Sequence, residues 1–170
     1  MIAGKTANFK RPGTSPQSVR QFGMVFELAQ LLQTTVDGEF RRLSAMTEEA
    51  AAAKADGKWS RKQELGHLID SASNNHLRFV RAALEPEYQG PGYDQNGCVE
   101  LHGYENLPWS DLVEFWRRYN LLLVKLVSRI PDEKLGTACR IADGPEVTLG
   151  FVIEDYVRHM KHHLEHILRA

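Results

Sequence analysis

The sequence contains no apolar run that approaches the roughly 18 residues needed to cross a bilayer. It has only two cysteines, Cys98 and Cys139, far apart and in no C-x-x-C pair. That is the pattern of two ordinary thiols in a reducing compartment rather than of a disulfide framework. Neither charge is in surplus: 21 Lys and Arg stand against 22 Asp and Glu, a formal net charge of −1. No Lys/Arg run exceeds two residues, so the basic patch that displaces counterions from nucleic acid is missing. The opening MIAGKTANFKRPGTSPQS has no apolar h-region, so no secretory signal is expected there. Its Gly, Pro and Ser content predicts an extended lead-in over residues 1–18. A cytoplasmic protein with neither a nucleic-acid nor a membrane partner is the expectation.

What is present is helical periodicity, in four segments. From about Val19 to Met46, apolar residues including Val25, Phe26, Ala29, Leu32, Val36, Phe40 and Leu43 recur three or four apart. An Ala-rich stretch follows. Ser60 and Gln63 then form a capping-box signature that opens a second helix, which Pro86 stops after about Leu84. A third, from Ser110 to about Ile130, is expected to bury Leu112, Phe115, Trp116, Tyr119, Leu122, Leu123, Leu126 and Ile130. The last runs from Thr148 to about Leu168. Between the second and third lies a loop from Glu85 to Pro108, a length that in a compact domain usually means function or disorder. Before the last helix, the piece from Ala138 to Val147 with its Asp143-Gly144-Pro145 turn reads as a hairpin or an irregular loop. The fold class is all-α: one four-helix-bundle domain over residues 19–170.

Four of the seven histidines fall within eight residues, as His159-Met-Lys-His162-His163-Leu-Glu-His166. Residues four apart stack on one helix face, so H-x-x-x-H lets two imidazoles reach one ion. Two registers compete, and the apolar stripe decides between them. At about 100° per residue, His163 falls inside the stripe formed by Val152, Tyr156, Met160 and Leu164, and His159 sits at its edge. His162 turns toward Arg158, Lys161 and Glu165, and His166 is borderline. A third ligand has to come from another helix. His67 is the candidate, although it shares a stripe with Asp70, Ser71, Asn74 and Arg78, opposite the apolar face. That stripe serves as a solvent face or as a polar cavity wall. A histidine-rich surface, or imidazolium near a helix C-terminus, is the ordinary alternative.

The same residues carry a resemblance. GHLIDSASNNHLRF, followed much later by EDYVRHMKHHLEHI, is similar to the DinB-like superfamily, which includes the bacillithiol transferases. GPGYDQ and TLGFVIEDY extend the likeness from about Trp59 to the C-terminus. The resemblance implies a four-helix bundle, often dimeric, with a three-histidine site for one divalent ion, nickel or zinc. Its ligands fall on His67, His159 and His163. It also implies a metal-dependent enzyme, foremost a thiol-dependent S-transferase acting on a small molecule with a low-molecular-weight thiol. A metal-dependent hydrolase and a non-catalytic metal- or ligand-binding protein are the alternatives. Five residues are candidates for a supporting role. Asp70 is placed to orient a ligand imidazole, Asn74 and Arg78 to contact a polar substrate, and Tyr93 and Asp94 to cover the site from the long loop. His162 or His166 as general base, and Cys98 as a reactive thiol, compete with ordinary surface histidines and an inert cysteine.

Overall fold

Ser60 accepts from the Gln63 N–H while Gln63 Oε1 accepts from the Ser60 N–H, the reciprocal cap that the sequence pattern predicts. From this cap runs α3 (Arg61–Leu84), the helix around which the molecule is arranged. The computed structural model describes residues 16–55 and 57–169. Within them α1 spans Pro16–Ser44, α2 Glu48–Ala52, β1 Glu87–Gly90, α4 Gln95–His102 and α5 Trp109–Val127. After α5 come β2 (Ala138–Ile141), β3 (Val147–Thr148) and α6 (Leu149–Leu168). Helix α1 takes in residues 16–18, and the rest of the expected extended lead-in lies outside the described residues.

The four long helices form the bundle, with α1 and α3 each packed against α5 and α6. Leu32, Leu43, Leu68, Phe79, Trp116, Leu123, Ile153, Met160 and Leu164 are almost wholly buried at its centre. Two polar atoms inside that core find partners. The Tyr156 hydroxyl donates to Asn120 Oδ1 at 2.5 Å, and Asn120 Nδ2 donates to the Trp116 carbonyl at 2.8 Å. Three residues that periodicity assigned to the core stay outside it: Phe26 is 65% exposed, Phe115 55% and Leu122 49%. A helix stripe of this width reaches past the groove available to it, and its edges remain in water.

The segment from Glu85 to Pro108 is structured, contrary to the expectation of a long loop. It holds β1, α4 and a 3₁₀ turn at Tyr104–Asn106. Strand β1 pairs in parallel with β2, Tyr88 opposite Cys139, and β2 pairs antiparallel with β3, giving a sheet ordered β1-β2-β3. The hairpin reading of residues 138–147 therefore holds, with an additional strand. The Ala-rich stretch likewise contains a helix, α2, capped by the Thr47 side chain.

These small elements cover part of the polar stripe of α3. Both α4 and the 3₁₀ turn pack on α3. Lys62, only 4% exposed, donates to the Leu107 carbonyl at 2.7 Å and forms an ion pair with Glu48. With Trp59 and α6 closing over His67 and Tyr104 over Asp70, every residue from Leu65 to Ala72 is buried.

Candidate metal centre

Helix α6 begins at the Thr148 cap, whose hydroxyl accepts from the Phe151 N–H. It presents His159 and His163 on the side facing α3, where His67 is fully buried. The ring centroids of the three imidazoles stand 5.1, 4.6 and 4.5 Å apart. One nitrogen of each lies within 4.8 Å of the others. His67 Nε2 and His159 Nε2 are 3.2 Å apart. His163 Nδ1 is engaged by Glu64 Oε1 at 3.0 Å, which leaves its Nε2 as the free nitrogen.

This arrangement fits a cation. Two imidazole nitrogens, each about 2.0–2.1 Å from a shared ion at angles from octahedral to tetrahedral, stand about 2.8–3.4 Å apart. The observed 3.2 Å falls inside that interval. Burial, followed by the neighbouring histidines, pulls the His67 imidazole down from its ordinary value to about 4, and His159 likewise to about 4. Both rings are neutral at physiological pH, the form that binds metal. The Trp59 indole lies against His67, ring centroids 5.2 Å apart, and walls off that side.

Glu64 is the residue that sequence reasoning missed. Burial works to raise its carboxyl, but hydrogen bonds and charge from His163 and His166 outweigh this and hold it below the usual range. A carboxylate on the far nitrogen of a ligand imidazole fixes the tautomer and strengthens the ligand. The available signal was spacing: Glu64 lies three residues before His67, as Asp70 lies three after. Glu64→Gln is expected to weaken metal binding by about 10–100-fold with the helical content unchanged, measured by competition with a chromophoric chelator.

The other candidates separate clearly. Asp70 does not touch a ligand imidazole: its Oδ1 accepts from the Tyr104 hydroxyl at 2.7 Å and lies 3.2 Å from His102 Nδ1. Asn74 turns back on its own helix, donating to the Asp70 carbonyl. Asp94 caps α4, accepting from the Gly97 N–H at 3.0 Å. Arg78 and Tyr93 do come together beside His159, in a cavity of about 210 Å³ that Ser71, Asn75 and Tyr156 also line. The Arg78 guanidinium reaches only neutral acceptors there, Asn75 Oδ1 and the Pro91 carbonyl, both at 3.4 Å. Burial and the Asp70 charge push the Tyr93 phenol up to about 12, so it enters the cavity as a hydrogen-bond donor. His162 and His166 are exposed. The Cys98 thiol is pushed up by desolvation and by the Asp70 and Asp94 carboxylates, the opposite of what activates a thiol.

Comparison with known proteins agrees with this fold. Residues 27–167 match the family model of the DinB superfamily. A protein of Oceanobacillus iheyensis, provisionally named a metal-dependent hydrolase, is 26% identical over 83% of this chain and 78% of its own. One from Bacillus pumilus under the same provisional name is 29% identical over 75% of each chain. The solved structure of YfiT from Bacillus subtilis superposes with a TM-score of 0.68 at 21% identity, over 94% of this chain and 89% of its own. YfiT is described there as having an unusual four-helix bundle topology. No helix among the described residues is long and apolar enough to cross a membrane.

Proposed function

We propose that this chain, which belongs to the DinB superfamily, is a metal-dependent hydrolase with His67, His159 and His163 as the ligands of one nickel or zinc ion. The observation that carries the reading is the convergence of three imidazoles beside a polar cavity. Three protein ligands leave positions open to water and substrate, as in catalytic rather than structural sites. The provisional names of the relatives support hydrolysis over thiol transfer. Three imidazoles suit nickel and zinc alike.

An ion held there supplies Lewis acidity, lowering the pKa of a water molecule and polarising a carbonyl or phosphoryl oxygen. The chain does the rest. Glu64 holds His163 in one tautomer through Nδ1. Trp59 screens His67 from water. Arg78, unpaired with any carboxylate among the described residues, offers a forked donor to an anionic or carbonyl oxygen of the substrate. Tyr93, which lines the same cavity, donates a second hydrogen bond.

The test is a substrate panel run on the metal-loaded protein. Activated esters and amides are assayed alone, and electrophiles such as monochlorobimane are assayed with several low-molecular-weight thiols. Turnover of an ester or amide that stops on chelation and returns with added metal is the expected result. Turnover that requires a thiol would replace the hydrolase reading with an S-transferase. Metal binding with no turnover in either arm would make the chain a binding protein.

A further inference from the structure

Asp70 is 6% exposed, yet only one of its two carboxylate oxygens is used. Oδ1 carries both the Tyr104 hydroxyl and His102 Nδ1. Oδ2 is buried and has no hydrogen-bond partner among the described residues. No lysine or arginine among the described residues pairs with it, and burial raises the carboxyl above its usual range. A buried carboxylate with no strong base beside it is costly to keep unless a cation offsets its charge.

Asp70 lies in the wall of a cavity of about 610 Å³ between α3, α5 and the 3₁₀ turn, within the size range of small-molecule sites. The remaining wall is largely apolar and aromatic: Ile69, Leu107, Leu112, Phe115 and Tyr119. The last two rings are stacked, centroids 5.9 Å apart. Asp111 adds a second carboxylate at the rim, and His102 is the one basic side chain in the lining. This cavity shares no lining residue with the one beside His159, and none of the three candidate ligands enters it.

We propose that this cavity is a second ligand site, distinct from the three-histidine centre, which takes a small aromatic molecule bearing a protonated amine. The ammonium pairs with Asp70 through Oδ1, at the place His102 now occupies, and offsets the charge of the buried carboxylate. That imidazole is half exposed, with 52% of its side chain in solvent, and turns outward to make room. Tyr104 keeps its hydrogen bond to Oδ1 and holds the carboxylate in position. The aromatic body lies along Phe115 and Tyr119, whose ring faces also favour a nearby cation. A wall with two carboxylates and no strong base selects against an anionic head of the same size. The proposal does not depend on the metal or on the reaction at the other site.

Three probes with one aromatic body and different heads test it: 2-(1-naphthyl)ethylamine, 2-(1-naphthyl)ethanol and 1-naphthylacetate, titrated calorimetrically into the full-length protein. The amine is expected to bind at least about tenfold more tightly than the alcohol, equivalent to about 1.4 kcal/mol, with the acid weakest. Asp70→Asn should remove the preference for amine over alcohol. Phe115→Ala, at an exposed position, should weaken amine and alcohol together. His163→Ala should leave all three affinities unchanged, which separates this site from amine ligation at the metal centre. Equal binding of amine and alcohol by the unmodified protein would overturn the proposal, even if Asp70→Asn did not fold. So would a preference that survives Asp70→Asn or disappears in His163→Ala.

Discussion

His67→Ala is expected to abolish stoichiometric metal binding and to lower metal-dependent turnover by on the order of 10³-fold. The size of the effect follows from what the ion contributes: several kcal/mol of charge stabilisation, at about 1.4 kcal/mol per factor of ten. Of the three ligands, His67 is the one on α3. Removing it leaves His159 and His163, two imidazoles on one turn of α6, which is too few for a catalytic site. Truncation also leaves a small void beside Trp59, so a thermal melt must accompany the metal analysis. His67→Gln fills the space without restoring an imidazole and should fail equally. Retention of one equivalent of metal by either variant would show that the ion lies elsewhere. The neighbouring set of Glu64, His163 and His166 would then be the first place to look.

Gly66→Ala is expected to destabilise the fold by about 3 kcal/mol although it sits in mid-helix, where alanine normally gains about 1 kcal/mol over glycine. A Cβ at Gly66 would stand 2.0 Å from Tyr104 Cδ2 and 2.3 Å from Cγ, inside the ring. The ring cannot remain in place. Moving it forfeits its burial and the hydrogen bond from its hydroxyl to the Asp70 carboxylate, worth roughly 1.5–3 kcal/mol in addition to about 1–3 for overpacking. For a chain of this size the melting temperature should fall by roughly 6–12 °C. Tyr104→Ala in the same chain should make the two losses less than additive, because the clash disappears with the ring. A Gly66→Ala protein as stable as the parent would mean that the 3₁₀ turn does not pack on α3 as described.

The long helices were legible because each repeats its apolar residues over five or more turns, and the caps at Ser60 and Thr148 mark two starts. The His159/His163 register was legible for the same reason, since the stripe on α6 admits only one pair. His67 was not. Its helix has an apolar face and a polar face, and periodicity cannot tell that the polar face is covered, at His67 by Trp59 and the imidazoles of α6 and at Asp70 by Tyr104. Strand β1 has four residues, too few for any alternation to register, and its partner β2 lies about fifty residues away. Asp70 and Glu64 are related to His67 by the same spacing in opposite directions, so only the position of α6 decides which carboxylate reaches an imidazole. The resemblance to a known superfamily supplied what spacing left undecided.

The parallel pairing of β1 with β2 has a consequence for how the three imidazoles find one another. His67 and His159 are 92 residues apart along the chain. Once Tyr88 and Cys139 are in register, the path between them runs through the pairing and shortens to roughly 40 residues. Loop-closure entropy varies as (3/2)RT ln n, so the remaining search costs about 0.7 kcal/mol less. That corresponds to an effective concentration of His67 near the α6 pair about threefold higher.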